Sequence, residues 1–186
     1  MTDLALPPRT ALGELAAAIR DALAGEGDWA ATADRVRAVL ADPLPSASML
    51  PARLRAGSPD GYVSEPVHVE PDGSFSIVAF VCRQAQVTAI HDHVTWCVFA
   101  VLAGTPVEEL FRLDDARTGL VAAGYERCAT GTVGGGAPPG DIHRLGNPNA
   151  ETAVSLHVYG TDVSRIGSSV RRMYDLPIRS RRAVLG

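Results

Sequence analysis

The chain has 186 residues, 46% of them hydrophobic, and a formal net charge of −4. This length and composition predict one globular domain with a buried core, because such a chain is too apolar to stay disordered. The small negative charge gives no reason to expect binding to nucleic acid or to an acidic membrane. Three cysteines without metal-ligand spacing argue against a disulfide framework, and no signal peptide or membrane span is apparent. We therefore expect a cytoplasmic protein that binds neither nucleic acid nor membranes.

The first fifty residues carry the apolar periodicity of two helices. One stripe begins after the candidate N-cap Thr10 and ends before Gly25, and the second runs from Trp29 towards Pro43. The members of these stripes are Leu12, Leu15, Ile19 and Leu23 in the first, and Ala30, Ala33, Val36 and Leu40 in the second. We expect two helices that cover a sheet, with a lid or a dimer arm as the alternative.

From about Gly61 onward, short β-branched runs alternate with turn residues such as Pro71-Asp72-Gly73. The expected strands are Phe75–Cys82, Val87–His91, Cys97–Leu102, Glu108–Leu113, Leu120–Glu126, Ile142–Leu145 and Ala153–Tyr159. Because these runs follow one another without intervening helices, they predict an antiparallel sandwich or barrel. The last stretch, residues 162–186, is rich in arginine and is expected to wrap around the outside.

Three histidines are the main candidates for metal ligands. His91 and His93 flank a single residue, so on a strand both side chains point to the same face. A third, His143, follows a turn-rich stretch that begins at Pro138. Since neutral imidazole is the commonest transition-metal ligand, the three predict a mononuclear metal site built on strands.

These histidines lie in two stretches that resemble the two motifs of the cupin superfamily. The first motif is His-x-His, then an acidic residue, then glycine seven residues later; here Cys97 takes the acidic position and Gly104 the last. The second motif is matched by Pro138, Gly140, His143 and Asn147, and departs from the pattern at its first glycine, where Thr132 stands. The resemblance implies a mainly β fold, the cupin double-stranded β-helix or jelly-roll barrel with N-terminal α-helices. Residues 1–50 would form the helical segment packing on the barrel, and residues 51–186 the barrel with its basic tail.

Cys97 in place of the usual glutamate defines the expected chemistry. Three neutral imidazoles leave a divalent metal with its full charge and three open positions, which favours an anionic ligand. A thiol ionises on coordination, and O2 can then complete the octahedron. This donor set points to oxidative sulfur chemistry with Fe(II).

A row of polar residues occurs in the expected strand Ala153–Tyr159, where Ser155, His157 and Tyr159 share one face. If that face points inward, the three groups must pair with one another, and a Ser–His–Tyr relay satisfies them. If it points outward, they are solvated, which is common in antiparallel sheets. The alternation along the strand does not decide whether this face points inward or outward.

The polar row and the three histidines together resemble the thiol dioxygenases, the family of cysteine dioxygenases and 3-mercaptopropionate dioxygenases. The resemblance implies that His91, His93 and His143 bind iron and that Ser155, His157 and Tyr159 are catalytic. The substrates would be a small thiol and O2, the product a sulfinic acid. The cysteine at position 97 further implies a thioether cross-link between Cys97 and Tyr159, with a merely space-filling cysteine as the alternative.

A thiol acid also needs a cation for its carboxylate, and the bidentate guanidinium of arginine suits this. Mammalian-type cysteine dioxygenases place that arginine near a position corresponding here to 62–65, where no arginine is found. Mercaptopropionate-type enzymes supply it after the catalytic tyrosine, which implies Arg172, with Arg171 and Arg165 as alternatives. A solvated surface or a dimer contact is the competing interpretation of this basic segment.

Two other functions remain as alternatives. Another metal-dependent cupin enzyme, such as a carbon–carbon cleaving dioxygenase or an isomerase, usually retains the glutamate that Cys97 replaces. A non-catalytic effector-binding cupin would need a DNA-binding domain, for which the N-terminal helices carry too little positive charge. The sequence leaves open which thiol is used and whether the chain forms a homo-oligomer.

Overall fold

A computed structural model describes residues 10–179 of the chain. Within that range the helices are α1 (Ala11–Leu23), α2 (Trp29–Ala41), α3 (Ala52–Arg55) and α4 (Val163–Ile166), with a 3-10 turn at Ala47–Met49. The strands are β1 (Val63–Val69), β2 (Ser76–Cys82), β3 (His91–His93), β4 (Cys97–Ala103), β5 (Val107–Leu113), β6 (Leu120–Arg127), β7 (Val133–Gly136), β8 (His143–Gly146), β9 (Ala153–Tyr159), β10 (Val170–Met173) and β11 (Ile178–Arg179). Among the helices of this range, none is long and apolar enough to cross a lipid bilayer.

The strands form two sheets that face each other. One has the order β1-β2-β9-β4-β7 and the other the order β10-β3-β8-β5-β6-β11. All pairs are antiparallel except β11 with β6. From β2 to β10 the chain passes back and forth between the sheets, apart from the β5–β6 hairpin, which is the connectivity of a jelly roll. The predicted fold class, a cupin double-stranded β-helix with N-terminal helices, is therefore confirmed.

The two N-terminal helices pack on the outer face of the five-stranded sheet. Thr10 caps α1 by accepting a hydrogen bond from the Gly13 amide, and Asp28 caps α2 in the same way. One core cluster joins Ala16, Ile19, Val36 and Leu40 of the helices to Ile77, Ala79, Val81, Val98, Ala100, Leu102, Val154, Leu156 and Val158 of the sheet. Full burial of an aliphatic side chain contributes about 1.5–3 kcal/mol, so this interface holds both helices on the sheet.

The alternation of side chains along each strand determines which residues face the interior of the barrel. Since Val154, Leu156 and Val158 pack under the helices, the intervening residues of β9 point towards the second sheet. The neighbouring strands follow the same parity, with Phe80 of β2 and Phe99 of β4 both in contact with the ring of His157. The polar row of β9 therefore lies inside the barrel.

One strand expectation is wrong, and one strand lies where none was expected. The expected strand Val87–His91 is wrong, because Val87 forms only an isolated bridge to Gly146 and is half exposed, and the strand begins at His91. The segment 133–136, Val-Gly-Gly-Gly, is a strand although its glycines suggest a turn. A Cβ at Gly134 would lie 2.6 Å from the Phe99 ring, and one at Gly135 would lie 2.2 Å from the carbonyl oxygen of Cys97. These glycines let β7 approach β4 closely.

Strands β1, β10 and β11 were also not anticipated. In β1, Pro66 interrupts a β-branched run, and the structure tolerates it because β1 is the edge of its sheet. The arginine-rich segment after residue 162 contributes α4, β10 and β11, and the last two are the edges of the six-stranded sheet. The expectation for residues 180–186 lies outside the described part of the chain.

Candidate metal centre

The three predicted metal ligands converge inside the barrel. His91 and His93 lie on β3, His143 lies on β8, and His91 and His143 are directly paired across the two strands. The three rings are 4.7–5.0 Å apart between centroids, and one nitrogen from each lies within 4.8 Å of the others. All three side chains are at least nine-tenths buried. A single ion between them would be reached by all three imidazoles.

Each imidazole is held through its Nδ1 atom by an oxygen of the protein. The distances are 2.9 Å from His91 to the carbonyl oxygen of Ala89, 3.1 Å from His93 to Asp141 Oδ2, and 2.6 Å from His143 to Glu108 Oε1. Asp141 Oδ2 also accepts the backbone amide of His93, at 2.8 Å. An imidazole whose Nδ1–H donates in this way presents its Nε2 lone pair to a metal.

Sequence reasoning assigned no role to Asp141 or Glu108. Asp141 stands two residues before His143, inside the second cupin-like motif, and its carboxylate turns back to His93 on another strand. Glu108 is buried on β5 beside the less buried Glu109, and the sequence alone gives no signal that separates the two acids. Only the pairing of β5 with β8 shows that Glu108 serves His143.

The electrostatics of the site favour a neutral imidazole at His91. Burial lowers the pKa of His91 to about 4, with a further contribution from the neighbouring His143. At neutral pH this ring is therefore uncharged, which is the protonation state that binds a metal. The pKa of Asp141 is also lowered, because hydrogen bonds from His93 outweigh the effect of its burial.

Cys97 lies directly opposite Tyr159 in the register between β4 and β9. It is buried, and burial raises the pKa of its thiol well above the ordinary range, so the thiol stays protonated in the absence of a metal. Its sulfur is 3.9 Å from His157 Nδ1. The two residues of the predicted cross-link are therefore neighbours.

The predicted relay residues also meet inside the barrel. Ser155 Oγ is 3.0 Å from His157 Nε2, and the Tyr159 hydroxyl is 3.5 Å from His157 Nδ1. Ser155 can in addition donate to the carbonyl oxygen of Phe80, at 3.4 Å. The ring of Tyr159 lies 5.8 Å from that of His93, between centroids. The row thus runs from the buried wall of the barrel to the histidine cluster.

Both titratable groups of the row are neutral. Burial lowers the pKa of His157 to about 3, and the three ligand histidines lower it further. Burial also raises the pKa of Tyr159 well above its usual value, and the neighbouring Cys97 adds to this. Tyr159 therefore keeps its proton at physiological pH and can donate a hydrogen bond.

The three arginines predicted to bind a carboxylate lie on β10 and α4, outside the histidine cluster. Arg171 and Arg172 on β10 both donate to Asp92 Oδ2, the residue between the two histidines of β3, at 2.6 and 2.8 Å. Burial of Asp92 would raise its pKa, but the hydrogen bonds from the two guanidinium groups hold that pKa well below its usual range. Arg165 lies exposed on α4.

Two cavities border the histidine cluster from different sides. One, of about 380 Å³, touches His93, His143 and Cys97 and includes the carboxylates of Glu108 and Glu126 in its wall. The other, of about 230 Å³, touches His91 and Tyr159. Its wall is rich in hydroxyl groups, contributed by Tyr62, Ser64, Thr88, Tyr159, Ser168 and Ser169. Arg165, Arg171 and Arg172 line neither cavity.

Part of the chain aligns with solved structures, among them proteins described as cupins. A "Cupin 2 conserved barrel domain protein" from Salinispora arenicola has 17% identity and a TM-score of 0.42, over 57% of this chain and 82% of the other. TT1209 from Thermus thermophilus has 22% identity and a TM-score of 0.44, over 59% of this chain and 91% of the other. A sugar phosphate isomerase of the cupin superfamily from Silicibacter pomeroyi has 22% identity and a TM-score of 0.39, over 59% of this chain and 64% of the other.

No protein-family model matches the chain. At these identities the solved structures are similar in fold alone, and their activities are not transferred to this protein. What the barrel does is therefore argued from its own side chains.

Proposed function

We propose that the protein is an iron-dependent thiol dioxygenase. It would convert a small thiol acid, such as cysteine or 3-mercaptopropionate, to its sulfinic acid: R–SH + O2 gives R–SO2H. Both oxygen atoms are transferred to sulfur, and O2 accepts the four electrons that sulfur loses. The observation that carries the proposal is a three-imidazole cluster beside an inward-facing Ser–His–Tyr row, with a cysteine where a carboxylate ligand would stand.

The donor set fits Fe(II). His91, His93 and His143 would hold the ion through Nε2, with their Nδ1 atoms anchored as described. Bound there, iron would supply a coordination site for a thiolate and for O2 and would mediate electron transfer between them. Because Cys97 stands where a carboxylate ligand would, the protein's own ligands would be three neutral imidazoles. They would not neutralise the ion, which would therefore attract an anionic sulfur.

The relay can move a hydrogen bond towards or away from the substrate. When the Ser155 hydroxyl donates to the carbonyl of Phe80, it accepts from His157 Nε2, and the Nδ1 atom is then free to accept from Tyr159. When Ser155 instead donates to Nε2, the Nδ1–H of His157 donates to the oxygen of Tyr159. The Tyr159 proton is then released to point at an oxygen atom of the substrate. The two states thus differ in the orientation of the Ser155 hydroxyl and in which nitrogen of His157 carries the proton. Tyr159 donates within the relay in the first state and at the reaction site in the second.

The site offers least support for the expected carboxylate group of the substrate. Arg172, Arg171 and Arg165 are the cations predicted for it, and the first two donate to Asp92. Neither of those two lines a cavity that borders the histidine cluster, so neither stands where a substrate bound there would place its carboxylate. The hydroxyl-rich cavity beside His91 offers neutral hydrogen-bond partners instead.

The proposal is tested by reconstitution with Fe(II) under anaerobic conditions, followed by O2 uptake with cysteine, 3-mercaptopropionate, mercaptosuccinate and cysteamine. One O2 consumed per sulfinate formed, absent in His143→Ala, is the expected result. An isomerase or an effector-binding protein would take up iron and consume no O2 with any thiol. A carbon–carbon cleaving dioxygenase would likewise leave thiols unoxidised. Iron bound in stoichiometric amount with no thiol oxidised across the panel would therefore overturn the proposal.

A further inference from the structure

A buried carboxylate lies between the two histidines of β3 and faces away from the metal centre. Asp92 is 1% exposed, and a single oxygen, Oδ2, accepts hydrogen bonds from three residues. These are Arg171 at 2.6 Å, Arg172 at 3.2 and 2.8 Å through two nitrogens, and the Tyr174 hydroxyl at 2.8 Å. The guanidinium group of Arg172 also stacks on the Tyr174 ring, 5.4 Å from its centroid. We call these four residues the Asp92 clamp.

A β-bulge makes this arrangement possible. Consecutive residues of a regular strand point to opposite faces, so Arg171 and Arg172 would normally diverge. The register between β10 and β3 shifts between Val170 and Arg172, which is the signature of a bulge. The bulge turns both guanidinium groups towards the same carboxylate. Two half-exposed cations thus meet one fully buried anion.

The clamp lies at the centre of the strand pair that carries two metal ligands. In the register of β10 with β3, Arg172 is opposite Asp92, and Val170 and Met173 are opposite His93 and His91. β3 is three residues long, and its pairing with β8 consists of the single pair His91–His143. Most of the backbone pairing of β3 is therefore made with β10.

The segment that the clamp holds also forms a wall of the smaller cavity. Ser168, Ser169, Val170 and Met173 line the cavity beside His91 and Tyr159. The backbone amide of Val94, just after β3, donates to the carbonyl of Ser169 at 2.9 Å. Whatever fixes β10 against β3 therefore fixes the metal ligands and this wall together.

We propose that the Asp92 clamp is a positioning device for the metal centre, and that Arg171 and Arg172 are positioning residues rather than ligands of a substrate carboxylate. The proposal rests on the metal site proposed above and assigns these arginines a role that does not depend on the substrate. A carboxylate shielded from water needs its cationic partners, and both guanidinium groups donate to Asp92 while neither lines a cavity at the histidine cluster. Asp92 would hold the backbone between His91 and His93 at the spacing that lets both rings reach one ion.

The first test measures metal affinity with Co(II) alone, so it does not depend on dioxygenase activity. Asp92→Asn removes the charge that holds both arginines and is expected to weaken Co(II) binding by about tenfold or more, the usual effect of losing such outer partners. It should also change the visible ligand-field spectrum of the bound ion. The matched control is Asp114→Asn, which breaks the 2.8 Å ion pair of Asp114 with Arg179 on β11. That variant should bind Co(II) within about twofold of the parent chain.

The second test separates positioning from substrate binding. Arg172→Met should lower kcat/KM by the same factor for 3-mercaptopropionate and for 3-mercaptopropionamide, which lacks the carboxylate. Arg172→Lys, which keeps one charged donor for Asp92, should restore part of the Co(II) affinity lost in Arg172→Met. A loss confined to 3-mercaptopropionate, with Co(II) affinity unchanged, would make Arg172 a substrate ligand and overturn the proposal.

The two tests fail independently. If Asp92→Asn does not fold, the two Arg172 variants measure the same contact from its exposed side, and thermal unfolding of each variant shows which are folded. If no thiol is oxidised, the proposed function fails while Co(II) affinity still decides the role of the clamp. Unchanged Co(II) affinity and spectrum in a folded Asp92→Asn protein would refute it.

Discussion

The hydrogen bond between Glu108 and His143 gives the most direct test of how the barrel builds its metal site. Both side chains are 9% exposed, and Glu108 Oε1 lies 2.6 Å from His143 Nδ1. Loss of a carboxylate that orients a ligand histidine lowers metal affinity by about 10- to 100-fold, which is about 1.4–2.8 kcal/mol. Glu108→Gln keeps an oxygen acceptor at similar size and removes only the charge, so its loss should lie near tenfold. Glu108→Ala removes the acceptor as well, so its loss should approach 100-fold.

The neighbouring residue provides a matched control for this prediction. Glu109 follows Glu108 on β5, points to the other face of the sheet, and pairs with Arg144. Glu109→Gln therefore makes the same chemical change one residue away and should leave metal affinity unaltered. The assay is a competition titration of Fe(II) or Co(II) against a chelator under anaerobic conditions. Equal affinities for Glu108→Gln and the parent chain, or equal losses in both variants, would refute the role assigned to Glu108.

Four further predictions concern the relay, the cross-link, the metal position and the helix interface. His143→Ala should abolish iron binding, while Tyr159→Phe should retain iron and slow sulfinate formation at least tenfold; equal iron loss in both would contradict this division of roles. Aerobic turnover with iron should lower the intact mass by two hydrogens as Cys97 and Tyr159 join, with O2 as the oxidant, and Cys97→Ser should abolish the change; an unaltered mass would count against the cross-link. Cys97→Glu should keep or raise metal affinity and suppress thiol-dependent O2 uptake, because a fixed carboxylate replaces the anionic sulfur; undiminished uptake would argue against that reasoning. A hydrogen bond from Arg20 lowers the pKa of Glu70 against the opposing effect of burial, so its stabilisation is full above pH 4.5 and is lost as the pH falls through the lowered pKa. Denaturant titrations should therefore show stability falling less steeply below pH 4.5 in Glu70→Gln than in the parent chain, and parallel curves would refute the contribution.

The sequence was sufficient for the parts of the molecule that depend on local pattern. The His-x-His spacing, the turn before His143 and the alternation of β9 each define which side chains share a face. What alternation does not define is which face points inward. In this protein that is decided by α1 and α2, whose apolar stripes cover Val154, Leu156 and Val158 and leave Ser155 and its partners inside. The inward face of β9 follows from its alternation together with the apolar stripes of the two helices that cover its other face.

The parts that could not be predicted depend on long-range pairing. A run such as Val-Gly-Gly-Gly suggests a turn until the Phe99 ring and the backbone of β4 are seen beside it. The arginines of β10 read as candidate substrate ligands until a bulge directs both to a carboxylate about eighty residues away in sequence. A periodicity argument treats each strand alone, whereas bulges and buried ion pairs are properties of two strands in register.

Charge offers a reason why Cys97 would suit the proposed function, in which the metal site accepts a thiolate. Two carboxylic acid side chains, Asp141 and Glu108, already stand one hydrogen bond behind the ligand imidazoles. A glutamate at position 97 would add a negative charge in direct reach of the metal ion. Burial raises the pKa of the Cys97 thiol, so in the absence of a metal it adds no such charge. Under the proposed function, the coordination position that a glutamate would fill would then be open to an anionic sulfur of the substrate.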